Sequence, residues 1–151
     1  MNNLLNVILL SIIPISELRG AIPLGILNGL SWELVFIVAT ISNIAIIPII
    51  FLFLDYLHKH FSKSKYYKYV FNKLVNRTRK KIEHKIGTKW ELPALLLLVA
   101  IPLPGTGAYT GTLAAWLFNI ERKRALVTIM LGVLIAAIIT TLVTLGAISF
   151  F

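Results

Sequence analysis

Two charged residues sit where this chain can least accommodate them. In "IIPISELRGAIPLGI", residues 12–26, Glu17 and Arg19 stand between Pro14 and Pro23 with apolar residues on both sides. A charge at the centre of a bilayer costs about 2.5–3.5 kcal/mol on insertion scales. A loop holding two of them must be enclosed by protein or line a wet cavity. On a helix, an i, i+2 pair lies about 200° apart. On an extended loop the same spacing puts both groups on one side. The expected arrangement is an unwound tip with Glu17, Arg19 and the adjoining Gly20 facing one cavity. Two chemistries fit it. Arg19 binds an anionic or carbonyl-bearing group while Glu17 balances its charge or accepts a proton. Alternatively the pair is a mutual salt bridge, or Arg19 ties down loose carbonyls at the tip.

A second interruption, "IPLPGTGAYTG" at 101–111, carries no charge. Pro102, Pro104, Gly105 and Gly107 keep the backbone open, and Thr106 is placed to cap the limb that follows. The free N–H groups of that limb's N-terminus favour an anion or a carbonyl oxygen. Tyr109 and Thr110 add hydroxyls, and Tyr109 adds a flat ring. The competing reading is that these glycines only allow close helix packing. The Gly-Lys-Ser/Thr ending of a nucleotide loop is missing. Asn43, beside Ser42 in a long apolar run, is placed to reach the tips or to make an ordinary helix-to-helix hydrogen bond.

Other chemistry is poorly supplied. The chain has no cysteine, which removes disulfides, thiolate catalysis and Cys-based zinc sites. His58, His60 and His84 have no carboxylate or cysteine set to complete a metal site. No Ser/His or paired-carboxylate constellation supports an enzyme. No catalytic residue, metal or cofactor is expected.

The elements that must position these residues follow from composition. The 151 residues are 58% hydrophobic and only 14% charged, with a mean hydropathy of +0.85. That is the balance of an integral membrane protein with one domain, 1–151. Residues 33–57 and 125–150 are apolar runs long enough to span a bilayer, with Pro48 a kink site in the first. Segments 4–31 and 92–119 are broken in the middle, and their limbs are too short to cross. Residues 4–13 resemble a signal-peptide core, but no basic residue precedes them and no small-residue cleavage site follows, so the segment is expected to stay.

Charge sets the topology. Residues 58–89 hold eleven of the fifteen Lys and Arg, "RKR" at 122–124 holds three, and Arg19 is the last. Clustered positive charge beside membrane segments marks the cytoplasmic side. If 92–119 crossed the membrane, "RKR" would lie outside. Two re-entrant hairpins with two spanning helices keep it inside, and both termini then lie outside. The fold class expected is an all-α integral membrane protein of the cell membrane. Hairpin 4–31 plus helix 33–57 form one repeat (1–57), and hairpin 92–119 plus helix 125–150 form an inverted second (92–151). At an offset of 88 residues, Ile13, Pro14, Glu33, Thr40 and Ile41 match Ile101, Pro102, Glu121, Thr128 and Ile129. The linker 58–91 has apolar residues mostly at helical spacing amid Lys and Arg. It reads as an amphipathic helix on anionic headgroups, ending near Gly87. Nucleic acid is not an expected partner, because no binding motif accompanies the charge.

"PISELRGAIPLGI" followed by the P-x-P-G-x-G tip resembles the small multidrug export protein family over nearly the whole chain. That family is thought to be distantly related to the DedA (VTT, SNARE-associated) membrane proteins, which have paired re-entrant hairpins with charged tips. The resemblance implies transport and gives Glu17, Arg19, Pro102, Pro104 and Gly105 a role in it. The DedA motif has an acidic residue next to its Pro-Gly tip, and this chain has none between Glu91 and Glu121.

The expected function is secondary transport of a small organic solute held between the two tips, with proton coupling through Glu17 as an option. The substrate-binding set is Glu17, Arg19, Gly20, Asn43, Pro102, Pro104, Gly105, Thr106, Gly107 and Tyr109. A DedA-like flippase for a phosphate-bearing lipid carrier is the alternative. Uptake of a queuosine-precursor-like heterocycle is a third reading, taken from related small families. A homodimer is expected, because so little protein surrounds a charged tip.

Overall fold

A computed structural model of the chain describes residues 3–61, 69, 72, 73, 76, 89–103 and 105–150. The linker helix expected over 58–91 therefore lies largely outside the described residues, as does Pro104. Among the described residues the long elements are all helical. They are α1 (Asn3–Ile12), α2 (Glu17–Leu27), α3 (Trp32–Phe61), α4 (Glu91–Ala100), α5 (Ala108–Leu117) and α6 (Arg122–Phe150). The order short, short, long occurs twice.

The helix ends follow from local chemistry. α1 stops two residues before Pro14. α4 stops at Ile101, whose φ of −77° and ψ of 118° are the extended conformation that the following Pro102 favours. Both return limbs end in one motif. The Leu30 N–H donates to the Gly25 carbonyl at 3.2 Å and the Gly29 N–H to the Ile26 carbonyl at 3.0 Å. In the second copy, Ile120 donates to Ala115 at 2.9 Å and Asn119 to Trp116 at 3.3 Å. These are Schellman closures, with left-handed Gly29 (φ 80°) and Asn119 (φ 53°) in equivalent places.

The closures correct the register of the repeat. α1 and α4 are 88 residues apart, but Gly29 and Asn119 are 90 apart. The second break, 101–107, is longer than the first, 13–16, and the surplus shifts everything after it. Glu33, Thr40 and Ile41 are therefore not the counterparts of Glu121, Thr128 and Ile129. α3 also runs to Phe61, into the stretch assigned to the linker, and α6 starts at Arg122 rather than 125.

Each short pair folds back on itself. Asn3 Nδ2 donates to the Asn28 carbonyl at 3.1 Å, which brings the start of α1 to the end of α2. Asp55, late in α3, bonds Trp116 and Arg122, at the end of α5 and the start of α6. Pro23 and Leu27 of α2 share a groove with Val143 and Ile148 of α6. α3 and α6 thus run antiparallel, and the two short pairs open toward opposite ends of the molecule. Their tips meet between.

Small residues bring the helices close. A side chain at Gly25 would press on Val7 and Val35, and one at Gly132 on Val99 and the Leu96 carbonyl. Around this centre Val7, Leu18, Ile22, Val35, Ile47, Leu95, Ile129 and Val133 are buried. The outer faces of the long helices are apolar as well: Ile37, Ile41, Leu52, Phe53, Val127, Leu131, Leu142 and Val143 are all exposed. Apolar surface on both faces suits a bilayer, and Trp32–His60 and Arg122–Phe150 are long enough to cross one.

Candidate functional site between the two tips

Glu17 opens α2 with a left-handed φ of 47° and is almost fully buried. Its carboxylate crosses to the other short pair. The Tyr109 N–H donates to Oε1 at 3.3 Å, and the Ala108 N–H also bonds the carboxylate. The anion that the start of α5 was expected to attract is therefore supplied by the chain itself. Thr106 does not cap α5; the residue before the helix is Gly107, and it makes no side-chain cap. A side chain at Gly107 would collide with the Glu17 carboxylate.

Arg19, in the first turn of α2, also reaches across. Nη1 donates to the Leu103 carbonyl, and Nη2 donates to the Ile101 carbonyl at 3.4 Å and to Thr106 Oγ1 at 3.0 Å. Thr106 Oγ1 in turn lies 2.8 Å from both of those carbonyls. The guanidinium thus gathers the backbone oxygens that Pro102 and the open turn leave without helical partners. Arg19 Nε is buried and unbonded.

The second pair returns the contact. Tyr109 Oη donates to the Ile12 carbonyl at the end of α1. Asn43 Nδ2, from the middle of α3, donates to the neighbouring Ser11 carbonyl at 2.9 Å. Asn43 Oδ1, like Arg19 Nε, is buried without a partner, and both residues line one tight space with Val99, Val133 and Ala136. The tips therefore lie level with the middles of α3 and α6.

These positions correct two expectations. The unwound loop is 13–16, and both charges sit in the first turn of α2 rather than in the loop. The left-handed turn at Glu17 swings its side chain away from the direction that a regular helix would give. Glu17 and Arg19 form no mutual salt bridge either. Among the described residues the ion pairs are Asp55–Arg122 at 2.5 Å and Glu121–Arg124 at 2.7 Å.

Between the tips lies a cavity of about 620 Å³ lined by Pro14, Ile15, Ser16, Glu17, Arg19, Gly20, Pro102, Gly105 and Thr106. Six of the ten residues expected from sequence share it: Glu17, Arg19, Gly20, Pro102, Gly105 and Thr106. Asn43 and Gly107 lie behind it, in the tight space beneath the carboxylate. Tyr109 turns its ring to an apolar groove of about 400 Å³ with Ile46, Ile49, Ile50, Phe53 and Leu54. No group of three or more His, Asp or Glu side chains suited to a metal occurs among the described residues.

The family described as "Putative small multi-drug export protein" matches residues 17–139. The chain belongs to that family. No curated protein and no solved structure matches it. The small multi-drug export match begins at Glu17, just past the 13–16 break, and takes in the second tip and most of α6. Together with the two long apolar helices it makes this a membrane protein.

One polar cluster was not anticipated from the sequence. Asp55 accepts from Trp116 Nε1 at 2.8 Å and from Arg122 at 2.5 Å. His58 meets the Trp116 ring edge-on at 5.4 Å. The cluster borders a larger cavity, about 720 Å³, at the end where α6 begins. The legible signal was a lone acid near the end of an apolar run, matched by the basic start of the other one.

Proposed function

We propose that this chain is a secondary transporter that moves a small organic solute through the cavity between its two tips. In this reading α1–α2 and α4–α5 are re-entrant hairpins that enter the membrane from opposite faces, and α3 and α6 span it. The basic start of α6 bonds the last turns of α3, so the charged flanks share one end, which the positive-inside rule makes cytoplasmic. The observation that carries the reading is the cavity itself. It is lined by Arg19 and by the unwound backbone of both tips, level with the middles of two apolar helices. Broken segments meeting at mid-depth are how many secondary transporters build their sites.

The binding chemistry is that of Arg19. Its fork grips two carbonyls and a hydroxyl of the second tip. A substrate carboxylate or carbonyl offers the same acceptor geometry and exchanges with them. Exchange loosens one hairpin from the other, which links occupancy to opening. The Glu17 carboxylate, held by the start of α5, keeps the Arg19 guanidinium from being the sole charge at this depth. A proton taken up by Glu17 would weaken that hold and couple the same movement to protons.

The test is flux in proteoliposomes, with fluorescein as a carboxylate probe and ethidium as a cationic one. Fluorescein flux that disappears in Arg19→Met is expected. Fluorescein flux unchanged by that substitution, or ethidium flux alone, would remove Arg19 as the binding group.

The apolar groove beside Tyr109 favours a second reading, a flippase whose substrate keeps its tail in the bilayer while a phosphate visits Arg19. Loss of dithionite protection of a headgroup-labelled phospholipid, with no fluorescein flux, would select it.

A further inference from the structure

We propose that a second copy of this chain covers the tip cavity, so that the working site is a chamber shared by two protomers. The inference rests on the reading of the tips as a mid-membrane site.

The chain leaves the helical state at 13–16, 101–103 and 105–107, level with the middles of α3 and α6. At that depth, irregular backbone survives only where protein or a wet cavity covers it. Here it is bare. Ile15 is 96% exposed, Leu103 56% and Ile13 44%, and Pro14 and Gly105 are exposed beside them. Acyl chains in that place would face the polar floor formed by Ser16, Glu17, Arg19 and Thr106.

The form of the surface selects the occupant. Its rim is apolar, made by Ile13, Ile15 and Leu103, and its floor is polar. Such a surface is complementary to itself: across a two-fold axis rim packs on rim, and the two floors enclose one chamber. An isologous contact of this kind is the commonest way identical chains associate. It also has a chemical consequence. Each protomer brings one Arg19 and one Glu17 to the shared chamber, so an occupant meets two guanidinium forks that favour oxygen acceptors, each with a carboxylate nearby.

The absence of native cysteine makes the test direct. Single variants Ile15→Cys and Leu103→Cys, in the full chain in native membranes, are oxidised with copper phenanthroline. Leu142→Cys, on an outer face of α6 and 63% exposed, serves as the collision control. Ile15 makes almost no contact within the protomer, so its replacement does not disturb the fold. The expected result is a disulfide-linked dimer from residues 15 and 103 and little or none from 142. No dimer from either tip position, or as much from 142 as from 15, overturns the proposal. Photobleaching of the labelled wild-type chain in nanodiscs is expected in two steps, and a population bleaching in one step also overturns it. Crosslinking reads assembly whatever the protein carries. A dimer without fluorescein flux therefore sinks the transport reading alone, and flux from a monomer sinks this one alone.

Discussion

The Glu17 carboxylate occupies the space that a side chain at residue 107 would need. Gly107 holds φ at 133°, outside the range of ordinary residues, and a Cβ there would strike Oε2. Gly105, two residues earlier, has φ 77° but open space around it. Gly105→Ala should therefore carry backbone strain only, about 1–3 kcal/mol. Gly107→Ala should cost more by about another 1–3 kcal/mol, because it also displaces the carboxylate from the amides of α5. Thermal unfolding in detergent, followed by tryptophan fluorescence, would compare them. Equal stability of the two variants would contradict the packing described.

Glu17 and Arg19 each bond the opposite hairpin and not each other, so most of each contribution should be its own. Glu17→Gln weakens the hold on α5, and Arg19→Met frees the Leu103 and Ile101 carbonyls. Each should destabilise by about 1–3 kcal/mol. The double variant should lose less than the sum, with a coupling energy on the order of 0.5 kcal/mol or more, because the two opposite charges also lie in one cavity. Recovery of stability in the double variant would instead mean a mutual bridge.

Arg19→Lys should separate assembly from binding. Lysine keeps the charge but has one donor group where the guanidinium spreads its contacts over two carbonyls and a hydroxyl. Stable protein with fluorescein flux reduced at least about tenfold, equivalent to about 1.4 kcal/mol, is expected. Wild-type flux from this variant would show that the fork is not required.

Topology can be read with the same cysteine-free background. Asn3→Cys and Trp32→Cys should react with an impermeant maleimide from outside intact cells. Lys59→Cys and Lys123→Cys should react only after the inner face is opened. Labelling of 59 and 123 from opposite sides would make α4–α5 a crossing segment rather than a re-entrant one.

At the charged end, Asp55 should matter more as an acceptor than as a charge. Its ion pair with Arg122 is half exposed and contributes about 0–1 kcal/mol. Asp55→Asn keeps an oxygen for Trp116 Nε1 and should stay near wild type. Asp55→Leu removes the acceptor that this N–H bonds and should cost about 1–3 kcal/mol. Unfolding curves that place Asp55→Asn with Asp55→Leu would reverse this ranking.

How far the sequence carried differs between backbone and side chains. Proline and glycine mark chain breaks by sterics alone, so both interruptions and all four limbs were legible, as was the meeting of two tips. The register of the repeat was not, because apolar residues match by chance and only the paired Schellman closures at Gly29 and Asn119 fix the 90-residue spacing. The partners of Glu17 and Arg19 were not legible either. They bond residues 82 to 92 positions away, and no local spacing encodes which carbonyl or amide a tip will meet. Asp55 escaped notice because one acid at the end of an apolar run is ordinary until Trp116 and Arg122 are brought beside it.

The crossed bonds between the tips also set an order of biogenesis. Glu17 leaves the ribosome 92 residues ahead of Tyr109, and Ile12 leaves 97 ahead of the same residue. Through most of synthesis the first hairpin therefore holds a carboxylate, a guanidinium and loose carbonyls whose partners do not yet exist. In the re-entrant reading proposed above, it has to wait at the wet interface or inside an insertion machine until α5 arrives, and only then does the deep position become tolerable. In that reading a chain cut after residue 90 would keep α3 and the Asn43–Ser11 bond but lose the partners of Glu17, Arg19 and Ile12, which makes it a substrate for membrane quality control.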